Sequence, residues 1–394
     1  MLHENHLAWG YTKNCMRELS AYGARRKEEI GAENVFDFGL GNPNVPAPEA
    51  VREALSALNA ADALAVHAPV PAEGLPELRR AAASYESGVC GFPMEPEYIL
   101  ATCGAAGGLA ICANALLRPG DEAIVFAPFF TEYRVFIEGA GGKVVSLPPD
   151  AALLPDLDAL EQALNEKTRL VLVNTPNNPS GVVLPEALLR RMAELLREAR
   201  ERFGRTIYLV SDEPYREIVY DLPAAPCPLR EYDDAILCYS FSKSLSLPGE
   251  RLGYLAVSSR MAEREAVFAA LKRAAHVLGY AGAPAMMQRA AAQCIGLTSD
   301  LGVYRRNRDL LYGALTELGF SCVKPDGAFY LFMKSPEPDA KACSDRAKKY
   351  ELLLAPSDDF GVTGYLRLAY CVSTAMIERS VPAFRRLAEE YGLV

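Results

Sequence analysis

Six short runs of almost unbroken apolar residues, spaced by longer stretches of helical period, leave this chain few folds to choose from. The runs are "EYILATC" (97–103), "DEAIVFAPFF" (121–130), "RLVLVNTP" (169–176), "TIYLVSDEPY" (206–215), "AILCYSFS" (235–242) and "RLGYLAVS" (251–258). A strand with one wet face alternates apolar and polar residues. A run that is apolar at nearly every position needs both faces covered, as in a mostly parallel sheet between helices. After the first run, "GAAGGLAICANALL" opens on glycines and continues as a helix. The stretch "PEALLRRMAELLREARERFG" (185–204) has a helical period, with Pro185 at its start and Gly204 at its end. The expected fold is therefore α/β, a mostly parallel sheet flanked by helices.

At 394 residues the chain exceeds the size at which one core usually stops growing, so a second domain is expected. The pattern changes near residue 280. "GVYRRNRDLLYGALTELG" (302–319) reads as a helix, "SCVKPDGAFYLFMK" (321–334) as a hairpin and "GYLRLAYC" (364–371) as a strand before a last helix, which is α+β in character. The Pro-rich "DFGLGNPNVPAPEA" (37–50) suits a crossing between domains. The expected division is a large domain over residues 45–280 and a smaller α+β domain from residues 1–44 and 281–394.

Charge narrows the function. Against 41 Lys and Arg stand 50 Asp and Glu, a net charge of −9. Nucleic acids and anionic membranes both demand a cationic surface, so neither is an expected partner. No run has the length to span a bilayer, and the first residues lack a basic segment followed by an apolar core, so no secretory leader is expected. The ten cysteines are scattered without a C-x-x-C pair, which suits reduced thiols in a cytoplasmic protein. His3 and His6 have a metal-like spacing but no thiol or carboxylate cluster beside them, and no metal centre is expected.

In open α/β sheets ligands bind beyond the carboxyl ends of the strands. The residues at the ends of these runs or just past them are Gly104, Ala105 and Ala106; Phe130; Asn178; Asp212 and Tyr215; then Ser240, Ser242, Lys243 and Arg251. Each alone is ordinary, since a glycine there is commonly a turn and an aspartate a helix cap. As a set they describe one ligand. "CGAAGG" at a helix start offers free N–H groups to an anion, and Ser240, Ser242 and Arg251 add donors suited to a phosphate. Phe130 can stack on a flat ring, Asp212 can hold a proton on a ring nitrogen, and Asn178 and Tyr215 can bond a phenolate. Lys243 supplies an amine for a Schiff base. Together these requirements describe pyridoxal 5'-phosphate.

The chain resembles the fold-type I pyridoxal-phosphate aminotransferases of class I/II, the aspartate aminotransferase-like group, over nearly its whole length. The matching stretches are "DFGLGNP", "GLPELRRAAASY", "CGAAGG", "APFFTEY", "NTPNNPSG", "SDEPYREIVY", "SFSKSLSLPGERLGY", "PDGAFYLF" and "YLRLAYC", in the family's order. The resemblance implies that Asn178 touches the ring's phenolic oxygen, that Arg367 binds the substrate α-carboxylate and that Gly41 closes over it. It also implies that Lys243 carries the cofactor as a Schiff base and then moves the Cα proton, with Asp212 keeping the ring nitrogen protonated. The implied reaction moves an amino group from an L-amino acid to a 2-oxo acid, and the implied assembly is a homodimer.

One departure stands out. "VHAPVPAEGLPELR" has Pro69 where the family often has a phosphate-contacting tyrosine, and His67 is the nearby group able to replace it. Three other functions compete with this one. "SFSK" has the S-x-x-K form of a serine acyl-enzyme, but the S-D-N and K-T-G that such a site needs are absent. A C–S β-lyase of the same fold would use the same lysine. A transcription regulator would need a DNA-binding domain, for which about 40 residues before the cofactor domain are too few. The donor's side chain is expected to meet residues between Gly279 and Ala285, the N-terminal segment or a partner subunit; neither Arg273 nor His276 identifies it.

Overall fold

The computed structural model describes residues 4–11, 15–280 and 282–394. His3 and the side chain of His6 fall outside the described residues. Seven strands form one sheet in the spatial order Ile99–Thr102, Gly253–Val257, Ala235–Ser240, Tyr208–Asp212, Thr168–Asn174, Glu122–Phe126, Lys143–Leu147. From Ala235–Ser240 outward all neighbours are parallel, while Gly253–Val257 runs against the strands on either side.

Alternate residues of these strands enter two separate cores, which is why the runs are apolar throughout. Val171, Val173, Leu209, Leu237 and Tyr239 pack with Leu78 of the helix Pro76–Cys90 and with Leu189 and Leu196 of Glu186–Phe203. Their neighbours Leu170, Leu172, Tyr208, Val210, Ile236 and Cys238 pack with Leu109 of the helix Gly104–Leu116 and Leu271 of Arg264–Val277. The helix Glu186–Phe203 follows Pro185 and stops at Gly204, whose φ of 65° is the left-handed cap that its sequence position foretold. The edge strand Lys143–Leu147 escaped the sequence reading. Its one neighbour is Glu122–Phe126, and its residues are mostly half-buried or exposed, so the apolar run is missing.

A second, antiparallel sheet has the order Ala355–Pro356, Tyr365–Ala369, Tyr330–Lys334, Cys322–Val323. Leu331 and Leu368 share a core with Leu311 and Leu315 of the helix Leu301–Glu317 and with Ile377 and Phe384 of Thr374–Glu390. Phe36–Asp37 pairs in parallel with Leu352–Leu353, which ties the early chain to this later unit. The helix Ala285–Cys294 packs differently from the sequence expectation, which grouped it with the smaller unit. Met287, Ala290 and Ala291 lie in the core of the large sheet with Val51 and Leu78, and Gln288 Oε1 accepts from Leu75 N at 2.7 Å. Its apolar stripe faces the helices Glu49–Ala60 and Pro76–Cys90, so burial binds it to that layer.

Candidate active site

The carboxyl ends of the parallel strands and the second sheet enclose a cleft of about 470 Å³. Gly41, Ala105, Ala106, Phe130, Asn178, Asp212, Tyr215, Ser240, Ser242, Lys243, Arg251 and Arg367 all line it. Gly104 does not. It sits behind the wall at φ 71°, where an added Cβ would lie 2.7 Å from Arg251 Nη2. The position therefore takes glycine for its backbone and for the room that Arg251 needs.

Asp212 ends its strand at the floor of the cleft. Its Oδ2 accepts a short hydrogen bond from Tyr133, and its carbonyl accepts from Asn174 Nδ2 at 2.8 Å. Its Oδ1 is buried without a partner among the described residues. Burial pushes the carboxyl up to about 7, against the opposing pull of the Tyr133 hydroxyl. An unpaired buried acceptor of this kind carries a desolvation cost that a donor entering the cleft removes.

The next strand, Ala235–Ser240, runs into the single helical turn Phe241–Ser244. Ser240 caps that turn by accepting from Ser242 N at 3.2 Å, and it donates to Ser242 Oγ at 3.0 Å. The turn presents Lys243, whose Nζ donates to Gly41 O at 2.7 Å. Burial pulls this amine down to about 8, and the nearby charges of Arg367 and Arg251 act in the same direction. Gly41 is a contact requirement, not a turn. A Cβ there would fall 2.0 Å from Tyr330 Oη, so only a bare backbone can pass between that ring and the lysine.

Arg367, buried on Tyr365–Ala369, donates through Nη1 to Asn178 Oδ1 at 3.1 Å and through Nη2 to Gly39 O at 2.6 Å. Its guanidinium lies 4.7 Å from the Tyr330 ring centroid and 5.1 Å from that of Phe360, and its Nε has no partner among the described residues. Asn178 N donates to Asn174 Oδ1 at 2.7 Å, and the hydroxyls of Tyr215 and Tyr330 are 2.9 Å apart.

Tyr133, Asn174 and Tyr330 are among the site residues that sequence reasoning missed. Tyr133 and Tyr330 stand inside "APFFTEY" and "PDGAFYLF", but an aromatic residue in an apolar run reads as core packing until its hydroxyl is located. His67 and Pro69 are exposed and do not line the cleft, and the same holds for Arg273 and His276.

The family model described as aminotransferase class I and II matches residues 33–384. An amino transferase from Eubacterium rectale has a crystal structure that is 41% identical, covers 99% of both chains and superposes with a TM-score of 0.96. An aspartate aminotransferase from Thermus thermophilus, solved with maleate, is 27% identical and covers 98% of this chain and 99% of its own, with a TM-score of 0.87. The aspartate/prephenate aminotransferase of Thermus thermophilus is 30% identical over 359 residues, 88% of this chain and 89% of that protein.

Proposed function

The chain belongs to the class I and II aminotransferases, and from that premise we propose that its cleft binds pyridoxal 5'-phosphate and passes an amino group from an L-amino acid to a 2-oxo acid. The observation that carries the reading is the pairing, in one cleft, of a buried Asp212 oxygen unpartnered among the described residues with a lysine amine held down at about 8. The donor set fits the cofactor. Asp212 Oδ1 answers a protonated ring nitrogen; Ser240, Ser242, Arg251 and the open N–H groups at Ala105 and Ala106 answer a phosphate. Phe130 offers a ring face, and Asn178 and Tyr215 offer donors for a phenolic oxygen. When bound, the cofactor supplies a carbonyl carbon for the amino group and a ring that accepts electrons.

The chain's own groups do the rest. Lys243 is the group to be linked to the cofactor as a Schiff base. With its amine at about 8, about one molecule in ten is unprotonated at pH 7, far more than for an ordinary lysine, so once free it can take a proton from Cα and return it. Arg367 holds the α-carboxylate with a planar two-pronged donor, which fixes the orientation of the Cα–H bond. Asp212, ionised opposite a ring proton, keeps that proton in place.

The relatives' names are those of aminotransferases, which does not favour the C–S β-lyase alternative. The proposed division is a large domain over residues 45–280 and a smaller one from residues 1–44 and 281–394, amended by the helix Ala285–Cys294, whose apolar face packs with the large domain. A cytoplasmic location is supported by ten cysteines that form no disulfide. Among the described residues no helix is long and apolar enough to cross a membrane. A homodimer rests on the family resemblance, with the exposed Leu64, Val277 and Tyr280 as candidates for residues that a second copy would cover.

The visible spectrum of the protein loaded with pyridoxal 5'-phosphate tests the reading. The yellow band should bleach with an amino donor and return when a 2-oxo acid is added. A protein that takes up no cofactor would overturn the proposal. Pyruvate and ammonia released from cysteine without an acceptor would establish the lyase instead.

A further inference from the structure

Among the described residues six charged side chains line the cleft, and the reading proposed above employs four of them: Asp212, Lys243, Arg251 and Arg367. Arg17, exposed at the rim, already has an interaction of its own. That leaves Glu132. It is half-buried, two residues beyond Phe130, and is the first residue of the helix Glu132–Gly139. Its carboxylate has no hydrogen-bond or ion-pair partner among the described residues, although the helix itself carries the pair Arg134–Glu138 one turn further on. The remaining wall is mixed: Met16, Leu109 and Phe360 give it an apolar part, beside polar Asn42 and Thr131.

We infer that Glu132 is a specificity-determining residue that selects an amino donor whose aliphatic side chain ends in a cation, an ammonium or a guanidinium. The inference rests on the aminotransferase reading of the same cleft. The physical case is one of charge matching. A partly desolvated carboxylate without a partner attracts a cationic side-chain end, for which it supplies a charge-assisted hydrogen bond, and it repels an acidic one. The apolar part of the wall suits the methylene stem between the two ends of such a donor. A first-turn acid also favours its own helix dipole, but that role is indifferent to the charge of the substrate. The expected donor preference is thus opposite to that suggested by aspartate in the names of several relatives.

The test uses the cofactor-loaded protein and three donors: L-lysine, its uncharged analogue L-norleucine, and L-aspartate. Each is assayed with the same 2-oxo acid in the wild type, Glu132→Gln and Glu132→Lys. In the wild type kcat/KM should rank lysine above norleucine and norleucine above aspartate. The lysine-to-norleucine ratio should fall by about 10- to 100-fold in Glu132→Gln, the loss of one charge-assisted hydrogen bond. In Glu132→Lys the order of lysine and aspartate should invert. Because each ratio is taken within one variant, partial misfolding cancels. A wild type that prefers aspartate, or a ratio unmoved in both variants while norleucine still reacts, overturns the role of Glu132 and leaves the aminotransferase reading intact. A wild type that reacts with none of the three donors but whose visible band is bleached by other amino acids overturns the role of Glu132 alone; one whose band no amino acid bleaches overturns both.

Discussion

Replacing Tyr133 with phenylalanine removes one hydroxyl from the floor of the cleft and little else. Tyr133 is fully buried, stacked on Phe129 at 6.5 Å and edge-on to Phe130 at 5.7 Å, and a phenylalanine ring keeps both contacts. What is lost is the hydrogen bond to Asp212 Oδ2. A bond to an ionised group contributes about 1.5–3 kcal/mol, so protonation of Asp212 becomes about 10- to 100-fold easier. The sign then follows from burial, which already raises the carboxyl to about 7. Opposite a ring proton the carboxylate must be ionised, whereas in the empty protein it can escape the lost bond by taking up a proton. The variant therefore binds more weakly wherever the empty site is protonated, and matches the wild type where both empty sites are ionised. With the wild-type midpoint at about 7, affinity should drop about 5- to 50-fold at pH 7 and no more than about twofold at pH 9. Equilibrium titration with pyridoxine 5'-phosphate, which has the ring and phosphate but no aldehyde, reads this without involving Lys243. An affinity gap that is the same at both pH values would refute the argument, because a merely loosened pocket loses affinity at every pH.

Other expectations are simpler. In the cofactor-free protein, acetylation of Lys243, followed by peptide mass spectrometry, should rise with a midpoint of about 8, well below that of exposed lysines; a midpoint above 10 would contradict the effect of burial. Arg367→Lys keeps the charge but loses the planar fork, so the donor's KM should rise about tenfold or more, with a smaller change in kcat. Gly41→Ala drives a Cβ into Tyr330 and should lower kcat by displacing the carbonyl that holds Lys243; full activity would show that the loop relaxes freely. Leu196→Ala, in the core far from the cleft wall, should cost about 2–5 kcal/mol in denaturant unfolding while leaving the visible spectrum of the loaded protein unchanged.

The central strands were legible because each is buried on both faces, a condition that writes itself as an unbroken apolar run. Lys143–Leu147 was not, since an edge strand with half-exposed residues carries no such run. Lys243, Asp212 and Arg251 were legible for a different reason: polar residues at the ends of apolar runs conflict with their surroundings, and that conflict shows in one dimension. Tyr133 and Tyr330 produce no conflict. Their rings belong in the core and only their hydroxyls act, so their roles appear once Asp212 and Tyr215 are found beside them. Ala285–Cys294 was misgrouped because an amphipathic helix reveals that it has a buried face but not which layer covers it.

Two carbonyls of the early chain, Gly39 O and Gly41 O, hold Arg367 and Lys243 at 2.6 and 2.7 Å. Under the roles proposed here, Arg367 must be free for the amino acid's carboxylate and Lys243 for the cofactor. The three-residue stretch is thus an incumbent tenant, and substrate entry is an exchange of partners rather than an addition of new ones. Measured affinity will report only the difference between a carboxylate and a peptide oxygen at the same guanidinium. Changes that loosen residues 39–41, even ones that touch no ligand, should consequently tighten binding of the amino acid.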